Sequence, residues 1–218
     1  MDLKTRLPVI LKRLDKSYPT AECALLHDNP FQLLVATILS AQCTDQRVNI
    51  VTRSLFKKYK TPRDFARVTQ SALEKEIRST GFFRNKAKNI RSASKIIAGT
   101  FNGKVPQTME ELLTLPGVAR KTANVVLGSG FGIAVGVVVD THVQRVSQRL
   151  GLTRQKDPKK IEHDLMRILQ QERWIGFSHQ LIWHGRRLCV ARNPKCLQCM
   201  LLDVCPFGQK EAITKSRA

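Results

Sequence analysis

Residues 133–139 read IAVGVVV, and the fold class turns on what that stretch is. Its isoleucine and four valines are β-branched, so on propensity alone it makes a buried strand. No second run of this kind occurs in the chain, and a single strand has no partner for its amides. The stretch is therefore read as an extended buried connector, and the protein as all-α.

Helical signals fill the rest of the chain. Leu3, Leu7, Ile10, Leu11 and Leu14 follow Asp2 at helical spacing, which marks a docking helix in place of a secretory or organellar leader. Pro30 opens a segment with Phe31, Leu34, Val35, Ile38 and Leu39 on one face, and Val48, Val51, Leu55 and Phe56 repeat the pattern. Ser71 with Glu74, and Thr108 with Glu111, fit capping boxes, with Gly81 placed to end the first of these helices. Ala87, Ile90, Ala93, Ile96 and Ile97 mark a further helix closed by Asn102-Gly103, and Asp157-Pro158 opens another through Ile161, Leu165, Ile168 and Leu169.

The chain has 218 residues, 42% of them hydrophobic, enough to bury a core in one large domain or two small ones. Lys and Arg number 37 against 17 acidic residues, a formal charge of +20. A surplus of that size draws polyanions and drives salt-dependent binding through counterion release from phosphates. The basic residues are spread along the chain and do not form one amphipathic helix, so nucleic acid is favoured over an anionic membrane. No apolar run reaches the roughly 20 residues that cross a bilayer. The expectation is a soluble monomer, cytoplasmic and nucleoid-associated.

Two motifs carry chemistry. Residues 115–126, LPGVARKTANVV, place Pro116-Gly117 in a tight turn ahead of an apolar helix whose first N–H groups have no intrahelical partner. Such a turn suits a phosphate, and it reads as a helix-hairpin-helix element. Near the C-terminus Cys189, Cys196, Cys199 and Cys205 are separated by six, two and five residues. Thiolates this close together wrap one compact centre. The spacing favours a [4Fe-4S] cluster, with structural zinc as the alternative, since only Cys196 and Cys199 form a C-x2-C pair. A disulfide framework fits neither the length nor the composition. Cys23 and Cys43, far upstream among apolar residues, read as small core side chains.

The hairpin, the VVVDTHV block ending in Asp140-Thr141-His142, the C-x6-C-x2-C-x5-C loop and LSAQCTDQRVN at residues 39–49 occur in order from Asn29 to Cys205. Together they resemble the endonuclease III branch of the base-excision DNA glycosylases. The resemblance implies two helical lobes: a bundle over 22–133 carrying the hairpin, and a cluster domain formed by 1–21 plus 134–218. Damaged double-stranded DNA would lie between them. It implies a bifunctional glycosylase and abasic-site lyase of base excision repair that removes oxidised pyrimidines such as thymine glycol.

The chemistry fits residues at the matching positions. Breaking a glycosidic bond develops positive charge on the sugar, which a carboxylate stabilises, and Asp140 is the candidate. A neutral lysine amine can displace the base and leave a Schiff base for β-elimination, and Lys121 is the candidate nucleophile. On its residues alone Lys121 reads as a phosphate contact. The resemblance reverses this, because members with lysine here are bifunctional, and Arg120 then takes the phosphate. Asp140 also fits the N-cap of the next helix, a role compatible with catalysis.

The resemblance further gives Gln42 and Phe82 the task of filling the hole left by an extruded nucleotide, with Phe83 as the competing aromatic. Gly117 and Ala119 would bring backbone to phosphate. Ala119 stands where the family often has glycine, so contact there is expected to be weaker or shifted. His142 is either a phosphate contact or a partly buried, satisfied histidine; Trp183 and His184 belong to packing beneath the cluster. Two other function classes share these features: a non-catalytic DNA-binding module, and a monofunctional adenine-mispair glycosylase, against which Lys121 argues.

Overall fold

The computed structural model describes residues 2–216, and among the described residues there is no strand. The chain divides into two compact units, Cys23–Val135 and Met1–Glu22 with Gly136–Ala218. The first helix, α1 (Leu3–Ser17), belongs to the second unit.

The first unit is built around α2 (Pro30–Leu39), in which every residue after Pro30 is buried. A helix apolar on all sides is stable only when surrounded. Asn29 caps it by accepting from the Gln32 N–H at 3.0 Å. Against it pack α3 (Asp45–Lys58), through Val48, Val51 and Leu55, and α6 (Phe83–Gly99), through Ala87, Ile90, Ala93 and Ile97. Two short helices, α4 (Pro62–Arg67) and α5 (Gln70–Ile77), lie between them in sequence, and α7 (Met109–Leu113) and α8 (Arg120–Val125) follow. The last continues as a π-helical turn, Val126–Gly130.

Two caps differ from the sequence reading. Ser71 does not cap α5. Thr69 does, accepting from the Ala72 N–H at 3.3 Å, while Glu74 accepts from the Gln70 side chain. The helix starts two residues earlier, with Leu73 and Ile77 on the core side and Ser71 exposed. The reciprocal box that the structure does hold is Thr61 with Asp64, at the head of α4, a helix too short to show a period. Thr108 accepts from the Glu111 N–H at 3.3 Å, as its spacing implies.

Residues 133–139 form neither helix nor strand, and the chain bends at Val135-Gly136. Ile133 and Val135 pack on the first core, Val137 and Val139 in the second. The β-branched composition thus serves burial that is continuous over residues 136–139. The buried Val138 N–H donates to Ser178 Oγ at 3.0 Å, and that hydroxyl donates to Trp174 O at 2.7 Å.

The second unit gathers α1, α9 (Thr141–Arg149), α10 (Pro158–Ile168), α11 (Trp174–Arg187) and α12 (Pro206–Ser216). Ile10, Leu14, Val143, Val146, Leu165 and Leu181 form its centre. Asp2 and Asp157 cap α1 and α10. Arg6, 9% exposed, donates from Nη1 to Leu150 O at 2.8 Å and Val204 O at 3.0 Å, tying α1 to two distant segments. Arg13 binds Asp203 and donates to Met200 O at 2.8 Å, and Arg173 pairs with Asp15 at 2.7 Å. The Arg6→Met variant strands two buried carbonyls. It is expected to lose about 2–3 kcal/mol of stability, read as a lower urea midpoint; an unchanged midpoint would contradict the tie.

Candidate active site and cysteine loop

The turn between α7 and α8 is anchored from below by buried Leu115 and Val118, with the Val118 N–H donating to Leu115 O at 3.1 Å. Gly117 has φ +82, and a Cβ there would stand 2.8 Å from Asn89 Cβ. Glycine is required on both counts. Ala119 is the N-cap of α8 at φ −96, ψ 170, a conformation any residue adopts, and it offers no side-chain hydrogen bond. Its methyl therefore brings no backbone strain. The amides of the first turn have no side-chain cap, the arrangement that receives an anion. Arg120 and Lys121 occupy this turn, Arg120 half-buried and Lys121 exposed.

Asp140 ends the connector and caps α9. One carboxylate oxygen, Oδ1, accepts from the His142 and Val143 N–H groups, both at 2.8 Å. The cap fixes the side chain through that oxygen, and Oδ2 takes no part in it. His142 is half-buried, with Arg145 Nη2 3.1 Å from its Nδ1 and Gly185 close against its Cβ. Burial holds its pKa below the ordinary histidine value.

Gln42 and Phe82 share an unusual backbone. Both are exposed and both sit in the left-handed region, at φ 53 and φ 47. A non-glycine residue held there carries strain that the surroundings must impose. Phe82 is 63% exposed, whereas Phe83 packs against the first core with Arg78 and Arg84 over its ring. Phe83 is a core aromatic, and Phe82 is the one presented outward.

The sequence reading passed over Lys86. It lies in the first turn of α6, 4% exposed, with Nζ donating to Leu39 O and Thr80 O, both at 2.8 Å. The signal was present: 86, 90, 93 and 97 fall on one helical stripe with Ile90, Ala93 and Ile97.

Cys189, Cys196, Cys199 and Cys205 line one apolar cavity in the second unit, walled also by Leu201 and Phe207. None is in a disulfide. The sulfur of Cys189 accepts from Arg149 Nη1 at 3.3 Å, that of Cys199 from Leu201 N at 3.4 Å and that of Cys205 from Gly208 N at 3.3 Å. Burial pushes the Cys199 thiol up to about 11 and raises that of Cys205, so a cationic group in the cavity is needed to ionise them near neutrality. His184 also lines the cavity, with Nε2 3.7 Å from Cys199 Sγ and Nδ1 3.0 Å from the Tyr18 hydroxyl. Trp183 lies to one side, donating to Glu22 O and carrying Arg187 over its ring. Among the described residues, no helix is long and apolar enough to cross a membrane.

The model for HhH-GPD superfamily base excision DNA repair proteins matches residues 35–171. Endonuclease III of Synechocystis sp. is 57% identical over 206 residues, 94% of either chain. The chain belongs to the endonuclease III family. Two solved structures are similar to it at 46% identity: a non-covalent endonuclease III–DNA complex, with TM-score 0.92 over 98% of this chain and 100% of that one, and a trapped endonuclease III–DNA covalent intermediate, with TM-score 0.91 over 97% and 100%.

In this endonuclease III family member the hairpin geometry depends on Gly117. Gly117→Ala is expected to cost about 1–3 kcal/mol of stability and to weaken binding to an abasic duplex in an anisotropy titration. Unchanged values in both measurements would contradict the hairpin described here.

Proposed function

We propose that the protein is a bifunctional DNA glycosylase and abasic-site lyase of base excision repair, with oxidised pyrimidines in duplex DNA as substrate. In a member of this family, one feature carries the lyase half: a lysine, Lys121, exposed in the first turn of the hairpin's second helix. A neutral Lys121 amine attacks the anomeric carbon as the bond from that carbon to the base breaks. The base leaves with the bonding electrons and takes up a proton. Loss of a proton from nitrogen and opening of the sugar ring give a Schiff base. Removal of a proton from C2′ then expels the 3′ phosphate.

Asp140 is assigned to stabilising the oxocarbenium-like transition state of base excision. Its cap through Oδ1 supports this role, because the hydrogen bonds that orient the group leave Oδ2 outside the cap. Arg120 and the backbone at Gly117 and Ala119 are assigned to a phosphate, and Gln42 and Phe82 to the space vacated by the extruded nucleotide. His142 is assigned to a phosphate contact of its own.

A [4Fe-4S] cluster held by Cys189, Cys196, Cys199 and Cys205 fits the cavity, which is apolar, lined by all four thiols and supplied with N–H donors to the sulfurs of Cys189, Cys199 and Cys205. When bound it supplies four iron–thiolate bonds that fold the loop bearing the exposed Arg187, Arg192 and Lys195. The cluster domain is the unit that includes α1, and the hairpin bundle is the other. We place a monomer in the cytoplasm at the nucleoid, where a charge of +20 favours binding to DNA.

Two experiments test this reading. With a duplex containing one thymine glycol, borohydride is expected to trap a covalent adduct with the wild type and none with Lys121→Ala, while Asp140→Asn slows excision by about 10²-fold or more. An undiminished adduct in Lys121→Ala means another nucleophile; no adduct and no cleavage by the wild type means a non-catalytic DNA-binding module. Metal analysis of the purified protein is expected to give about four irons and four sulfides per chain, lost in Cys199→Ser. One zinc per chain in their place would overturn the cluster.

A further inference from the structure

Two left-handed residues on separate loops of one unit need something to hold them, and Lys86 touches both supports. Leu39 ends α2, three residues before Gln42, and its carbonyl is among those a helix leaves without an intrahelical partner. Thr80 ends a 3-10 turn, two residues before Phe82. The single Nζ of Lys86 donates to both carbonyls at 2.8 Å. The backbone N–H of Lys86 donates in addition to Phe82 O at 3.1 Å. Both Nζ acceptors lie at the C-terminal ends of helical turns, where the local dipole favours a cation.

A buried ammonium is expensive, and burial pulls the pKa of Lys86 below the usual lysine range. A methionine at the position would fill similar volume at no such cost. We infer that Lys86 is a positioning residue for strand opening: by pinning the end of α2 and the turn before Phe82 to one group, it sets the distance between Gln42 and Phe82. The inference rests on the hole-filling roles proposed above for those two side chains. With the tie in place, the pair enters the duplex as one rigid element, and little ordering entropy is lost at that moment. Without it each loop can relax out of its left-handed conformation, and the two side chains no longer match the gap between neighbouring bases.

The test is a cycle on the full chain, comparing wild type, Lys86→Met, Gln42→Ala/Phe82→Ala and the triple variant. Single-turnover excision of thymine glycol from a duplex is measured alongside cleavage of a single-stranded oligonucleotide carrying a preformed abasic site. A single strand has no stack to hold open, so the lyase step there does not need the pair. Lys86→Met is expected to slow duplex excision roughly ten- to a hundred-fold, the scale of a misplacement near 1 Å. Single-strand cleavage is expected to stay within about two-fold, and the triple variant to be no slower than Gln42→Ala/Phe82→Ala.

A fluorescent 2-aminopurine beside the lesion is expected to brighten on binding to wild type and less with Lys86→Met. Additive losses in the triple variant, or equal losses on both substrates, would make Lys86 a general stabiliser and overturn the inference. Should Gln42→Ala/Phe82→Ala excise as fast as wild type, the hole-filling assignment itself is wrong, a distinct result. If Lys86→Met does not fold, Lys86→Gln, which keeps a donor without the charge, is carried through the same cycle with the same two outcomes.

Discussion

An amide buried in a segment that is neither helix nor strand has to find its acceptor elsewhere, and that requirement shapes residues 133–139. Ser178 meets it for Val138, through a hydroxyl whose own proton is committed to Trp174 O. Along the segment, Ile133 and Val135 pack on one core and Val137 and Val139 in the other, with the chain bending at Val135-Gly136 between them. The segment then stops at Asp140, where a carboxylate accepts two amides and begins α9. Valine-rich composition, a serine on a distant helix and an acidic cap are three parts of one solution to carrying a polar backbone through apolar surroundings.

Part of the positive charge that marks the sequence is committed within the fold. Arg6, Lys86, Arg91, Arg145 and Arg149 all donate to main-chain carbonyls of segments far from their own. Arg149 reaches Val190 O, Ala191 O and a cysteine sulfur while its guanidinium stacks on Phe207. Arginine suits such positions because its planar fork serves several acceptors at once. The count of +20 therefore overstates the surface offered to a polyanion, and the distribution of cations says more than their sum.

The helices that sequence made plain are those with a cap and a long apolar stripe: α1 after Asp2, α2 after Asn29, α10 after Asp157. Short helices were harder, since α4 shows barely more than one turn and its signal is a cap alone. At α5 two hydroxyl residues compete two positions apart, and only packing of Leu73 and Ile77 decides for Thr69. In the candidate site, the cysteine loop and the hairpin glycine were legible from their spacing and Asp140 as a helix cap, while the catalytic role given to Asp140 came from the family resemblance alone. The left-handed backbone at Gln42 and Phe82 was not, because neither residue type announces it. Lys86 was hidden for a different reason: lysine reads as solvated, although helical spacing places it among Ile90, Ala93 and Ile97.

The discontinuity of the second unit has a consequence for synthesis. Cys23–Val135 is one uninterrupted stretch, so a nascent chain can complete it while the ribosome is still translating. Helix α1 lies before that stretch in the chain, whereas the carbonyls of Leu150 and Val204 that receive Arg6 lie after it. The tie through Arg6 can close only once the whole of Cys23–Val135 has been made, so the discontinuous unit completes its fold later than the continuous one.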